Sequence, residues 1–118
     1  MPDRRLRILV VEDEMLVAMN IEDMLLAMGH DIAGIASRLG PALQLAREGA
    51  FDVAMLDVNL AGEASFPVAD VLRERGIPYL FATGYGVEGI EEGHRGAPVI
   101  QKPFRASDLS GALDQAAP

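Results

Sequence analysis

The sequence predicts an α/β protein in which a five-stranded parallel sheet is covered by helices on both faces. Along its 118 residues, short apolar runs alternate with segments whose apolar residues recur at the helical period. The runs are nearly continuous in apolar residues, as is typical of strands buried on both faces of a parallel sheet. Half of the residues are hydrophobic, so we expect one domain over residues 1–118 with a core of its own. These three observations together predict a doubly wound fold.

The first part of the chain contains two predicted strands and two predicted helices. Residues 6–11 form the first strand, and the helix that follows begins at Glu14 and stops at Gly29. Residues 31–36 are less apolar than the first run, which favours a strand at the edge of the sheet. Residues 37–48 have the pattern of a second helix.

The second part of the chain contains three more predicted strands. Residues 53–56 form the third strand, residues 79–82 the fourth and residues 99–101 the fifth. A helix over residues 67–75 separates the third and fourth strands, and a last helix carries apolar residues through 109–116. Right-handed crossovers between the parallel strands place helices on both faces of the sheet.

Composition excludes several classes of protein. The chain has no cysteine, which excludes disulfides, thiolate catalysis and cysteine-bound metals. Its net charge of −8 repels nucleic-acid phosphates and anionic lipids, so we expect neither as a partner. No segment approaches the ~20 apolar residues that a membrane span requires. We therefore expect a cytoplasmic protein.

Polar side chains that are able to bind ligands or react follow four of the five predicted strands. Glu12 and Asp13 follow the first strand, Asp57 the third, Thr83 the fourth and Lys102 the fifth. Each residue alone has an ordinary interpretation as a cap, turn or solvated residue. Because the carboxyl ends of parallel strands meet at one edge of a sheet, where ligands bind in this class of fold, we expect all five side chains to lie together. Three carboxylates repel one another unless a cation neutralises them, and oxygen ligands favour Mg²⁺.

This combination of groups favours phosphoryl chemistry. Aspartate is able to accept a phosphoryl group covalently, and Asp57 on the central strand is the candidate nucleophile. Lys102 and the cation would balance the charge of the phosphoryl oxygens. Thr83 could donate a hydrogen bond to the phosphoryl group once it arrives.

Four motifs in register resemble the response-regulator receiver domains of two-component signalling. They read ILVVEDE, MLDVNL, FATGYG and QKPF, and the resemblance extends from residue 6 to about residue 113. It implies a CheY-like, flavodoxin-like (βα)5 fold with strand order 2-1-3-4-5. It also implies Mg²⁺, or Mn²⁺, bound by Asp13, Asp57, the backbone carbonyl of Asn59 and, through water, Glu12.

The resemblance also implies roles for the remaining residues. Asp57 would accept phosphate from a histidine kinase or a histidine phosphotransfer protein, and Lys102 and Thr83 would detect it. A cis peptide bond would precede Pro103. The protein would catalyse only its own phosphorylation and dephosphorylation, so it would not be an enzyme with a separate substrate. Its output would be a changed contact with a target protein that the sequence does not identify.

The segment after the fourth strand differs from the common receiver pattern. Val99 stands where many receivers have an aromatic switch residue, and the string FATGY resembles a subgroup, many of whose members are alphaproteobacterial and single-domain. Five glycines interrupt the helical pattern of residues 84–98. Since each glycine costs a helix ~1 kcal/mol relative to alanine, this helix would lie near balance between formed and unformed. Our hypothesis is that Thr83, Gly84 and Tyr85 form the switch; the alternative is a flexible loop in which Tyr85 simply packs.

Other functions fit the sequence less well. An aspartyl-phosphate phosphohydrolase needs an acid two residues after the nucleophile, where this chain has Asn59. A flavodoxin-like FMN-binding module needs a phosphate loop where three acidic residues begin at Glu12. The intact set of five polar residues argues against a degenerate receiver that serves only for protein contacts. The initial Met and the lack of a linker favour a stand-alone regulator over a receiver cut from a longer regulator or hybrid kinase. His30 and His94 are interpreted as surface or turn residues.

Overall fold

The computed structural model describes residues 4–84, 90, 92–94 and 96–118. Among these residues, five strands form one parallel sheet, a two-stranded hairpin follows its central strand, and four α-helices flank the sheet. The strands are β1 (Arg7–Val11), β2 (Asp31–Ala36), β3 (Val53–Asp57), β4 (Asn59–Leu60), β5 (Glu63–Ala64), β6 (Tyr79–Thr83) and β7 (Val99–Gln101). The helices are α1 (Met15–Ala27), α2 (Leu39–Glu48), α3 (Phe66–Arg75) and α4 (Ala106–Ala116), and a 3-10 turn covers Glu92–His94.

The main sheet has the order β2-β1-β3-β6-β7, with every neighbouring pair parallel. Strands β6 and β7 are the fourth and fifth strands of the main sheet, so the expected order 2-1-3-4-5 is confirmed. Strand β2 lies at an edge of this sheet, as its lower apolar content predicted. Strand β3 lies at the centre, which places its last residue, Asp57, in the middle of the carboxyl edge.

Side chains of the strands alternate between two apolar layers. Ala54 and Leu56 of β3 pack with α2 and α3 on one face, whereas Val53 and Met55 pack with α1 and α4 on the other. All five residues of β3 are buried, which is why its sequence is an unbroken apolar run up to the aspartate. Each large apolar side chain buried in this way stabilises the fold by about 1.5–3 kcal/mol.

The ends of two helices are fixed by glycine in the left-handed region. Gly29 follows α1 with φ 92°, and Gly76 ends α3 with φ 71°. The backbone N–H of Gly76 donates to the carbonyl of Arg73, so the last turn of α3 is closed as in common C-terminal caps. At the other end of α3, Pro67 occupies the first turn, where its missing N–H costs no hydrogen bond.

The β4–β5 hairpin (residues 59–64) has no counterpart in the sequence-based prediction. Its turn residues, Ala61 and Gly62, have φ of 52° and 92°, and two-residue turns of type I′ require positive φ at both positions. Two features hid it: each strand has two residues, too few to show alternation, and alanine is unusual at a left-handed position.

His94 lies in the 3-10 turn, which fits the turn interpretation, but its side chain is not at the surface, because only 5% of it is exposed. Its ring stacks on Phe66 with centroids 5.3 Å apart. Its Nε2 lies 3.1 Å from Asp70 Oδ1, and its Nδ1 lies 3.3 Å from the Tyr79 hydroxyl. Both ring nitrogens thus have polar neighbours, so burial does not leave them unpaired. His30 directly follows the turn at residues 28 and 29 and is partly exposed, and its Nδ1 accepts a hydrogen bond from the Leu6 N–H.

Candidate functional site

The predicted polar side chains come together at the carboxyl edge of the main sheet. Glu12 directly follows β1, Asp57 ends β3, Thr83 ends β6, and Lys102 directly follows β7. Glu12, Asp57 and Thr83 are buried, with 2%, 8% and 1% of their surfaces exposed. Polar side chains are rarely buried this far without a structural or chemical role, which makes this edge the candidate site.

Three carboxylates in this site are arranged to receive a cation. Glu12, Asp13 and Asp57 each offer an oxygen, and these three oxygens all lie within 4.8 Å of one another. Oxygen donors at this spacing fit a hard divalent ion such as Mg²⁺. The donor set of this chain therefore agrees with the metal that the sequence predicted.

The ammonium group of Lys102 lies between two of these carboxylates. Its Nζ donates to Glu12 Oε1 at 2.7 Å and lies 3.2 Å from Asp57 Oδ2. Burial acts to lower the pKa of Lys102, but the hydrogen bond to Glu12 and the charges of both carboxylates outweigh it and the pKa is raised. The lysine therefore carries its charge at physiological pH. Glu12 is held from both sides, since its Oε2 accepts the N–H of Glu14 at 3.1 Å.

A backbone hydrogen bond fixes the position of the Lys102 main chain, from which its side chain extends. Its N–H donates to the carbonyl of Thr83 at 2.8 Å, which continues the pairing of β6 with β7 by one residue. The Lys102–Pro103 peptide bond is cis, as expected at this position. The side chains of Thr83 and Lys102 therefore start from adjacent, hydrogen-bonded backbone.

Asp57 is poised between its charged and neutral forms. Burial, followed by the negative charge of Glu12, raises the pKa of Asp57 to about 7, against the opposing effect of Lys102. Bringing acidic groups together in a partly buried site disfavours the charged form, whereas a cation favours it. A divalent ion would thus favour the charged carboxylate of Asp57 at neutral pH.

Asp13 has a hydrogen-bond donor that the sequence did not reveal. Its Oδ2 accepts the backbone N–H of Ala61, in the turn of the β4–β5 hairpin, at 3.0 Å. Burial acts to raise the pKa of Asp13, but the hydrogen bond from the Ala61 N–H and the side-chain hydrogen bonding shared with the carboxyl groups of Asp57 and Glu12 lower it overall. Asp13 therefore remains a carboxylate. A backbone donor leaves no residue-type signal; the one available cue is the Ala-Gly pair shortly after Asp57.

Asn59 is the first residue of the β4–β5 hairpin. Its exposed side chain points back into the turn, where Oδ1 accepts the N–H of Gly62 at 2.8 Å. The family resemblance implies that the backbone carbonyl of Asn59, and not its side chain, binds the metal. This role of Asn59 stays a prediction.

The proposed switch lies partly outside the described residues. Thr83 is buried at the end of β6, and Gly84 is exposed; among the described residues other than its chain neighbour, no atom lies within 4 Å of the place where a Cβ would stand. Tyr85 lies outside the described residues, as do positions 86–89. Its role as a switch stays a prediction. Val99, three residues before Lys102, is opposite Phe81 in the pairing of β7 with β6.

An apolar surface borders the site on the side of α1. Met15, Leu16 and Met19 expose 70%, 81% and 51% of their surfaces. Beside them lies a groove of about 380 Å³, whose walls include Leu16 and, from the loop after β7, Lys102 and Phe104. Lys102 thus contributes both to this groove and to the acidic site.

Residues 8–114 match the sequence profile of the response regulator receiver domain. The chain belongs to the response regulator receiver domain family. The receiver is 34% identical, over 97% of its length, to the phyllosphere-induced regulator PhyR of Methylorubrum extorquens, of which it covers 44%. It is similar to the solution structure of SdrG from Sphingomonas melonis Fr1, with 41% identity, a TM-score of 0.84 and 97% of each chain covered. For the BeF3-activated conformation of SdrG from Pseudomonas melonis Fr1, the values are 40% identity, a TM-score of 0.78 and 92% of each chain.

The receiver spans about half the length of the curated relatives that it matches. Within the described part of the chain, no helix has the length and apolar character to cross a membrane.

Proposed function

We propose that this receiver is a Mg²⁺-dependent phosphoacceptor that takes a phosphoryl group on Asp57 from the phosphohistidine of a histidine kinase or phosphotransfer protein. One observation supports this most directly. Asp57, at the end of the central strand, lies 3.2 Å from the Lys102 ammonium and within a cluster of three carboxylates. A nucleophile, a fixed cation and a set of metal ligands converge on one point.

The transfer reaction follows from these groups. An oxygen of Asp57 forms a bond to phosphorus while the P–N bond of the phosphohistidine breaks, and the imidazole nitrogen keeps the electron pair of that bond. Lys102 neutralises charge on the transferred group. A Mg²⁺ or Mn²⁺ ion held by Glu12, Asp13, Asp57 and the backbone carbonyl of Asn59 would supply further positive charge to the same oxygens.

Detection of the phosphoryl group is assigned to Thr83 and Lys102. The new anion on Asp57 would compete with Glu12 for the ammonium of Lys102, which is now 2.7 Å from Glu12. The hydroxyl of Thr83 would donate to a phosphoryl oxygen, and the movement would pass through Gly84 to Tyr85. The result would be a changed contact with a target protein, in the cytoplasm, without nucleic acid or membrane as a partner.

The phosphodonor protein would dock on the apolar surface of α1. Met15, Leu16 and Met19 are exposed beside the groove to which Lys102 contributes. A protein that covers them would bring its phosphohistidine to the rim of the acidic site. Exposed methionines pack adaptably, which suits a surface that binds a partner transiently.

The alternative of an aspartyl-phosphate phosphohydrolase is less well supported. Such an enzyme needs an acid two residues beyond the nucleophile, and that residue is Asn59. Its amide does not act as an acid, and its Oδ1 already accepts from Gly62.

The test is phosphorylation by a small acyl phosphate, in which the receiver is compared with Asp57→Asn. We expect labelling that requires Mg²⁺ in the wild type and none in the variant, because the amide is a poor nucleophile. Mass spectrometry of the intact protein measures the added phosphoryl group. Equal labelling of the variant would show that Asp57 is not the acceptor.

A further inference from the structure

The β4–β5 hairpin contacts the acidic site at one backbone group. We propose that Ala61 is a positioning residue for metal binding, because its N–H holds Asp13 in the orientation that a cation needs. This inference rests on the proposed metal-dependent function and adds to it a residue that orients a metal ligand without binding the metal.

The contact joins residues far apart in sequence. The N–H of Ala61 donates to Asp13 Oδ2 across 3.0 Å and 48 positions of sequence. Asp13 belongs to the loop between β1 and α1, whereas Ala61 follows the central strand β3. The hydrogen bond therefore ties together the two segments that supply the carboxylates of the site.

The hairpin is built to present this N–H. Leu60 is fully buried in the apolar layer beneath, and Leu60 pairs with Glu63 across the turn. The side chain of Asn59 closes the turn by accepting from Gly62. Ala61 takes a positive φ of 52°, which a residue with a Cβ rarely adopts unless its surroundings impose it. The buried leucine and the closed turn impose it here.

The chemistry of the site explains the need for such a donor. Asp13 lies beside Glu12 and Asp57, and like charges this close repel one another whenever all three groups are ionised. A donor on Oδ2 offsets this repulsion and leaves Oδ1 available to a cation. Carboxylate ligands in metal sites are commonly hydrogen-bonded in this way, and loss of the partner typically lowers metal affinity about 10–100-fold.

The hydrogen bond is first tested without metal. Asp13→Ala removes the acceptor, and we expect the amide proton of Ala61 to move upfield in the NMR spectrum and to exchange faster with solvent. The amide of Glu63 in the same hairpin serves as the internal reference. An Ala61 amide whose shift and exchange rate do not change in Asp13→Ala would overturn the proposal.

The role in metal binding is tested with Mn²⁺ as the probe, measured by electron paramagnetic resonance and water proton relaxation. Ala61→Pro removes the N–H, and Ala61→Gly keeps both the N–H and the positive φ. We expect Mn²⁺ to bind about 10-fold or more weakly to the proline variant and within about twofold of wild type to the glycine variant. Equal affinities of wild type and Ala61→Pro would contradict the proposal.

A double-mutant cycle separates positioning from general damage to the hairpin. In an Asp13→Ala background, Ala61→Pro should cause little further loss of Mn²⁺ affinity, because its effect acts through Asp13. The same loss in both backgrounds would overturn the proposal. Should Ala61→Pro not fold, Asn59→Ala loosens the turn and keeps every N–H; unchanged affinity in that variant would likewise overturn it. Failure of the wild type itself to bind Mn²⁺ would instead refute the proposed function, and this inference with it.

Discussion

Asp57 is buried, and the phosphoryl transfer that we propose requires its charged form. Its surroundings in the absence of a cation favour the neutral form, since burial and the charge of Glu12 raise its pKa to about 7. Ionisation of Asp57 therefore costs more free energy in the folded state than in the unfolded chain, so it lowers the stability of the fold.

The first prediction concerns the pH dependence of stability without metal. The folded receiver holds a proton on Asp57 up to about pH 7, whereas an aspartate in the unfolded chain loses its proton near pH 3.8. Between these values the unfolded state binds fewer protons, so stability falls as the pH rises. We expect Asp57→Asn to lack this fall and to be more stable than wild type at pH 7. Urea unfolding in the presence of a chelator at pH 4.5 and 7.5 measures both; parallel pH profiles of the two proteins would count against the raised pKa.

Ser65 is a second residue that lowers the stability of the folded state. Its Oγ is buried and has no hydrogen-bond partner among the described residues, although it precedes α3 at the position of an N-cap. An unsatisfied buried hydroxyl costs about 1–3 kcal/mol.

The prediction for Ser65→Ala is a gain of about 1 kcal/mol in the free energy of unfolding, because the change removes the unsatisfied group and no cap is lost. The exposed Ser37→Ala serves as the matched control, with an expected change within about 0.5 kcal/mol. Urea denaturation measures both. A less stable Ser65→Ala would show that the hydroxyl does bond in solution.

Among the elements, helix α1 has one apolar face that is buried and another that is exposed. Ile21 and Leu25 bury one face against the sheet, while Met15, Leu16 and Met19 leave an apolar surface exposed beside the groove. The exposed surface does not contribute to the core, so changes to it need not affect the fold.

The prediction is therefore a selective effect of Leu16→Asp. We expect transfer from a protein phosphodonor to slow about tenfold or more, which corresponds to ~1.4 kcal/mol of lost interaction, while phosphorylation by a small acyl phosphate is unchanged. Leu26→Asp is the control, since Leu26 is exposed on the same helix but does not line the groove. Rates from both donors, measured in parallel, decide it. Equal slowing by the two variants would place the docking surface elsewhere.

The main elements were predictable because their apolar residues follow distinct patterns. The unbroken apolar run of β3 and the helical spacing of α1 each identify one structure, and both are confirmed. The β4–β5 hairpin was not predictable, since its positive φ at Ala61 is imposed by the tertiary structure. The burial of His94 was not predictable for a similar reason: the aromatic rings and Asp70 that surround it come from other elements. Contacts between distant segments leave no local pattern.

Over the whole molecule, the residues of the candidate site were easier to predict than the backbone groups that orient them. The rule that ligands bind at the carboxyl edge of a parallel sheet predicts that Glu12, Asp13, Asp57, Thr83 and Lys102 lie together. The rule says nothing about the backbone groups that orient them. The N–H of Ala61 is such a group and required the structure.

The backbone hydrogen bond from Lys102 to the carbonyl of Thr83 has an evolutionary consequence. Because strand pairing alone sets where the amine and the hydroxyl begin, any sequence that preserves the pairing of β6 with β7 inherits their separation. Neighbouring positions on these strands are then free to diverge. Val99, one such neighbour, lies opposite Phe81 and takes no part in the hydrogen bond from Lys102 to Thr83.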